Sequence, residues 1–174
     1  LFFDRSLDVH AREIYDAPAW PSDPLMYVCV PSITDPSVAP AGHENVFALI
    51  PIAPGLEDTP AIRERYLRQV LDRIGQRTGI DVRPHMVLQR SYCINDFQAD
   101  HNAFRGNAYG LANTLRQTAV LKPRMKSRRV QGLYFTGQLT VPGPGVPPSL
   151  ISGQVVADLI AKEFPQRATS PLPA

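Results

Sequence analysis

Excess charge of one sign is missing from this sequence. Eighteen Lys and Arg stand against 16 Asp and Glu, leaving a formal net charge of +2. A surplus that small gives no basic face for tracking a phosphate backbone, so no nucleic-acid partner is expected. Long hydrophobic runs are absent too. The longest, Val46 to Ala53, is interrupted by Pro51 and falls well short of the ~20 residues that span a bilayer. No signal-peptide pattern is present. Cysteine is limited to Cys29 and Cys93, both in apolar, strand-like stretches. With nothing to suggest secretion, both are expected to be buried free thiols. His10, His43, His85 and His101 show no i, i+4 pairing, so no metal site is expected. Ser149 and Ser152 lack the G-x-S-x-G elbow of a serine hydrolase. No stretch has the G-x-G-x-x-G spacing of a dinucleotide fingerprint.

Proline is abundant, at 18 residues, and punctuates periodic apolar segments rather than forming a tract. Leu1-Phe2-Phe3 could finish a strand and Leu7 to Tyr15 could form a short helix. Leu25 to Val30 and Asn45 to Ile52 are rich in β-branched and aromatic residues and predict two strands, an antiparallel pair. The loop between them carries Asp35-Pro36 and Ala41-Gly42, both turn chemistry. A helix is predicted over 59–78: Thr59 suits the N-cap, Pro60 the first helical position and Gly79 the stop. Its apolar face is Ile62, Tyr66, Val70 and Ile74, with Leu67 and Leu71 alongside. Arg63, Glu64, Arg65, Arg68, Asp72 and Arg73 are expected to face solvent. A further strand is expected within 82–92, around Met86-Val87-Leu88, and a long loop over 106–121. A strand is expected at Gly132 to Thr136 and a final helix over Ser149 to Phe164. The tail over 165–174 reads as disordered.

Two clusters permit a functional reading beside a bland one. Lys122, Arg124, Lys126, Arg128 and Arg129 form either a solvated turn or a contact with anionic lipid headgroups. Asp96, Asp100 and His101 form either an acid/base group or, as preferred here, a polar loop.

The most informative stretch is GLYFTGQLTVPGPGVPPSLISGQVVA, from Gly132 to Ala157. A strand runs into a Gly/Pro loop and then a helix. Gly137 frees the backbone at the strand's end, and Gly143 and Gly145 permit close approach of main chain to a ligand. Pro142, Pro144, Pro147 and Pro148 stiffen the same loop. The helix end carries partial positive charge and suits a phosphate, a carboxylate or an electron-rich flavin edge. The prolines, however, cannot donate N–H groups to a pyrophosphate.

This stretch resembles the C-terminal flavin motif of bacterial-type phytoene desaturases and related carotenoid desaturases. Tyr27 to Pro54, with its Thr-Asp-Pro-Ser-Val-Ala-Pro loop, is similar to that family's substrate-domain strands. Phe104 to Pro123, including Gln117-Thr118-Ala119 and Lys122-Pro123, resembles its return to the flavin domain. The resemblance implies an α/β fold, α+β in its substrate part: the C-terminal piece of a two-dinucleotide-binding-domain flavoprotein. Residues 1–105 would belong to the substrate-binding domain and 106–164 to the FAD-binding domain. FAD would be the cofactor and a lipophilic polyene such as phytoene the substrate, desaturated by loss of a hydride and a proton. Gly137 and Gln138 would lie near the ribityl and pyrophosphate. Pro142, Gly143, Gly145 and Val146 would lie near the isoalloxazine, and Pro148, Ser149 and Leu150 at the helix end. A cytoplasmic enzyme bound peripherally to a membrane surface is implied.

The first residue is Leu1 rather than methionine, and the Gly-rich N-terminal FAD-binding segment of the family is missing. The chain is therefore expected to be part of something longer and inactive alone. Two alternatives stay open: a related polyene oxidoreductase, such as a carotenoid isomerase or retinol-saturase-like protein, and a non-catalytic module that binds a partner chain or lipid.

Overall fold

A computed structural model describes residues 5–111, 114, 116–118 and 121–165. The expected strand at Leu1-Phe2-Phe3 and the tail beyond Pro165 lie outside the described residues, as does part of the expected 106–121 loop. The chain divides into two compact units, between Asn107 and Ala108.

The first unit opens with helix α1 (Leu7–Tyr15), whose N-cap Ser6 accepts from the N–H of Val9 at 3.4 Å. Strands β1 (Tyr27–Cys29) and β2 (Phe47–Leu49) follow. They pair antiparallel, Tyr27 opposite Leu49 and Cys29 opposite Phe47. Tyr27 and Phe47 meet edge to face across the pair. Between the strands, short 3-10 turns cover Pro31–Ile33 and Pro36–Val38. Asp35 Oδ1 accepts from the Ser37 N–H at 2.9 Å and its hydroxyl at 2.6 Å, which is the turn that an Asp-Pro-Ser run favours.

Buried His10 joins these pieces. Its Nδ1 accepts from the N–H of Leu25 at 3.0 Å, so the ring proton sits on Nε2, which donates to the Pro51 carbonyl at 2.8 Å. One side chain thereby holds α1 to the approach to β1 and the exit from β2.

Helix α2 (Pro60–Thr78) forms as its sequence dictates: Thr59 Oγ1 caps the Ile62 N–H at 3.3 Å, and Gly79 ends it in the left-handed conformation. Its buried stripe is Tyr66, Val70 and Arg73, one face at i, i+4 and i+7. Arg73 was expected in solvent. It is buried instead because its guanidinium donates to the Pro24 carbonyl, satisfying a backbone acceptor inside the fold. Tyr66 similarly donates to Pro21 O and stacks near Trp20, with ring centroids 5.0 Å apart.

The strand expected within 82–92 is not formed. Arg83–His85 makes a 3-10 turn, and Val87 and Leu88 are 79% and 87% exposed. Pro84 breaks the segment at its start, and no strand among the described residues lies beside it. Helix α3 (Ile94–His101) occupies a stretch expected to be irregular. The Asp96 carboxylate accepts from the Cys93 N–H at 2.7 Å, half of a capping box with cysteine at the cap. A 3-10 turn at Phe104–Gly106 packs back on α3. Gly106 is required there. At φ +67°, a Cβ would lie 2.5 Å from the Ile94 carbonyl oxygen and 2.8 Å from its Cα.

In the second unit, the strand expected at Gly132 to Thr136 reduces to one antiparallel bridge, Lys126 opposite Tyr134. Two backbone bonds flank it: Ser127 N–H to Leu133 O at 2.9 Å and Phe135 N–H to Met125 O at 2.7 Å. A longer strand needs neighbouring strands, and none among the described residues supplies them. Nor is the parallel pairing of an α/β sheet found among the described residues. Helix α4 (Val146–Glu163) begins three residues before the expected Ser149. Val146-Pro147-Pro148 fits the first turn because N–H groups there have no intrahelical acceptor to lose. At its far end Glu163 receives both Lys126 Nζ and the Tyr134 hydroxyl, and these hold its carboxyl below the usual range.

Both thiols are free, but each is half-buried rather than buried. Their positions near a strand edge and a helix cap leave one side of each open. Burial pushes the Cys93 thiol pKa up.

Candidate functional site

The Gly/Pro loop between the Lys126–Tyr134 bridge and α4 is pinned by two buried hydroxyls. Ser152 of α4, fully buried, accepts the Gly137 N–H at 2.7 Å, lies 2.7 Å from the Thr136 hydroxyl and donates to Ser149 O at 2.6 Å. Thr140, also buried, returns to Gly137 O through its N–H at 3.1 Å and its hydroxyl at 2.9 Å. The loop's start is therefore fixed to the first turns of α4 by side chains, and its later half is stiffened by proline.

Five of the nine sequence-predicted site residues converge. Gln138, Gly145, Val146, Ser149 and Leu150, joined by Tyr109, line a groove of about 400 Å³. The other four stand around it: Gly137 in the Ser152 bond, Pro142 exposed on the loop, Gly143 buried within it, and Pro148 in the first turn of α4. Tyr109 carried no sequence signal, being a lone aromatic in a loop.

The helix end is poorer in donors than its position suggested. Gly145 is the N-cap and provides no side-chain cap. Pro147 and Pro148 have no N–H, and the Ser149 N–H already bonds to Gly145 O at 3.0 Å. The Val146 N–H is the donor left in the first turn, so this end is ill suited to cradle several phosphate oxygens. What it offers is the axial dipole of α4 and a bare, apolar groove wall.

Gly143 has an occupied side. A Cβ on it would meet Lys122 Cε at 3.3 Å and Lys122 Nζ at 3.8 Å. The glycine makes room for that lysine. Lys122 is 5% exposed, and its Nζ has no hydrogen-bond partner among the described residues. The basic cluster is thus divided: Lys122 is buried, Lys126 is engaged by Glu163, and Arg124, Arg128 and Arg129 are exposed.

In the first unit, a second depression of about 410 Å³ is lined by Asp58, Arg63, Ser91 and Asn95 among others. Arg63 meets Asp58 through two parallel bonds, Nε to Oδ1 at 2.7 Å and Nη2 to Oδ2 at 2.6 Å, and reaches Asp96 at 2.8 Å. Asn95 adds its N–H to Asp58 at 2.9 Å. Asp58, Arg63 and Asn95 are thus already spent on joining the start of α2 to α3. Asp100 is held by the Tyr92 hydroxyl at 2.8 Å, and His101 lies against Tyr92 and Phe97. Asp96, Asp100 and His101 therefore have structural contacts, but they stand in helix α3 rather than in the polar loop preferred from the sequence, because Asp96 caps the helix at the Cys93 N–H. No group able to hold a metal is found among the described residues.

No protein-family model matches the sequence. Individual relatives do. The carotenoid 3,4-desaturase of Haloarcula japonica is 51% identical over 157 residues, which is 90% of this chain and 32% of that protein. The all-trans-zeta-carotene desaturase of Myxococcus xanthus is 35% identical over 81% of this chain and 27% of its own length. A 4,4'-diapophytoene desaturase of Staphylococcus aureus is 34% identical over 83% of this chain and 30% of its own length. The chain thus spans about a third of the length of the curated relatives it matches. A likeness that holds over nine-tenths of the chain, through both units and the Gly/Pro loop, places it with a C-terminal portion of those proteins: the chain belongs to the carotenoid desaturase family.

Proposed function

We infer that the chain works as part of an FAD-dependent carotenoid desaturase, with the groove at the start of α4 contributing to the flavin site. One observation carries this reading: Gln138, Gly145, Val146, Ser149 and Leu150 line one bare groove at a rigid strand-to-helix passage. The fit to a flavin is of a definite kind. The groove wall is apolar, suiting an aromatic ring system, and the positive end of the α4 dipole lies at it, while buried Lys122 packs against Gly143, two residues before groove-lining Gly145. FAD when bound supplies the acceptor for a hydride. The chain's own residues hold the loop in place and line the groove mainly with apolar surface, to which Gln138, Ser149 and Tyr109 add polar groups able to orient a ligand. The substrate we propose is a carotenoid precursor such as phytoene.

The shortage of N–H donors means that this chain does not hold the pyrophosphate by itself. The isolated chain is therefore proposed to be inactive and to bind FAD weakly, the remaining contacts coming from the rest of the enzyme. Peripheral membrane association is proposed because the substrate is lipophilic and Arg124, Arg128 and Arg129 remain exposed. No helix among the described residues is long and apolar enough to cross a membrane.

The test is to purify the product of the complete natural reading frame in detergent and record its absorption spectrum. Bound flavin, identified as FAD after release, followed by conversion of phytoene to more conjugated products, is the expected result. A folded full-length protein that neither carries FAD nor takes it up would refute the reading. FAD-bound protein that isomerises or saturates defined polyenes without desaturating them would point to a related polyene oxidoreductase instead.

A further inference from the structure

A lysine ammonium buried without a partner is unfavourable, because desolvation penalises the charged form and no hydrogen bond offsets it. Lys122 is in this position. Its side chain is 5% exposed, its Nζ has no partner among the described residues, and it lies against the bare face of Gly143. Two residues further on, Gly145 caps α4 without a side-chain donor and lines the groove. The positive end of α4 and a cation with no partner among the described residues thus lie at two points of one short loop, Gly145 and Gly143. Both ask for negative charge.

The loop also limits which anion fits. Pro142, Pro144, Pro147 and Pro148 remove four of the N–H groups that a phosphate cradle would use. A compact, multiply charged oxyanion is poorly served. A single delocalised negative charge on a flat ring needs a nearby cation and a dipole rather than a ring of donors. Resting on the flavin reading above, we propose that Lys122 is an electrostatic tuning residue for the flavin, favouring its reduced, anionic form. Oxidised FAD takes up two electrons and one proton, together one hydride, and its ring system gains one negative charge. Lys122 interacts with that added charge and hardly with the neutral oxidised ring, so its effect is differential between the two redox states.

The test uses the full-length protein as wild type, Lys122→Met and Lys122→Arg. FAD content and the two-electron midpoint potential are measured for each. In Lys122→Met the ratio of affinities for reduced over oxidised flavin is expected to fall at least tenfold, which is a drop of about 30 mV. Lys122→Arg, which keeps the charge, is expected to recover most of that drop. Lys122→Met with full flavin and an unchanged potential overturns the proposal. So does a loss of FAD affinity with no change in potential, which would assign the lysine to the pyrophosphate. A Lys122→Arg potential as low as that of the neutral variant overturns it too. Should Lys122→Met fail to fold, Lys122→Gln is read in the same way. Absence of flavin from the wild type defeats the flavin reading itself, and flavin-loaded wild type with an indifferent lysine defeats only the role of Lys122.

Discussion

Single residues decide whether the turns of this chain close. Gly106 has no space for a Cβ and a φ of +67°, and the atoms a Cβ would strike are the carbonyl oxygen, Cα and Cγ2 of Ile94. Gly106→Ala is therefore expected to lower stability by about 2–4 kcal/mol, from left-handed strain plus overpacking, read as a drop in urea midpoint. His10 acts through both ring nitrogens. Replacing it by alanine leaves the buried Leu25 N–H unpaired and returns the part-buried Pro51 carbonyl toward water, an expected loss of about 1–3 kcal/mol. Neither effect was legible in the sequence. A lone histidine and a glycine among polar residues carry no periodic signal, and their partners lie 15 and 41 residues away for His10. Lys122 was hidden for the opposite reason: it stands in a run of basic residues, and a charge run reads as solvated surface.

Elements were legible where the local code is complete. Helix α2 has its cap, first-turn proline, apolar stripe and terminal glycine all within one segment, and it forms over Pro60–Thr78 as they predict. Helix α3 was missed because Cys93 is an unusual cap and the helix is only eight residues long. The apolar run at Met86-Val87-Leu88 misled because a strand depends on a neighbour, which sequence periodicity does not reveal. For the site, the Gly/Pro pattern located the groove, while the donor count at the start of α4 depended on a helix boundary three residues earlier than expected.

The α2–α3 junction gives a prediction at this scale. Arg63 holds the Asp58 carboxyl well below the usual range, outweighing the opposing effect of burial. Because the folded-state pKa is depressed, the contribution of Asp58 is complete above about pH 4 and is lost as pH falls through the depressed value. Asp58→Asn is expected to cost about 2 kcal/mol at neutral pH and to flatten this acid limb, measured by denaturation midpoints across pH. Ser152→Ala releases the Gly137 N–H and the Thr136 hydroxyl from α4. It is expected to cost about 1–2 kcal/mol and to lower the FAD content of the full-length protein, read by flavin absorbance per mole.

At the scale of the whole molecule, the proposed membrane attachment rests on the charges of the basic cluster that internal pairs leave over. Arg124, Arg128 and Arg129 remain, each contributing about 1 kcal/mol at an anionic surface. Reversing all three to glutamate is expected to weaken co-sedimentation of the full-length protein with phosphatidylserine vesicles by a hundredfold or more. Binding to neutral vesicles should change little. An equal loss on both would remove these arginines from the membrane contact.

The imidazole of His10 is more than a brace. A ring proton held on Nε2 of a buried imidazole and donated to a carbonyl exchanges slowly with solvent. It should therefore give its own resonance in a nitrogen-15 correlation spectrum of uniformly labelled protein. That resonance persists only while α1, the segment entering β1 and the segment leaving β2 are held together. The chain thus contains a native reporter of its first unit, one that follows denaturant, temperature or the arrival of the rest of the enzyme without a dye or an added label.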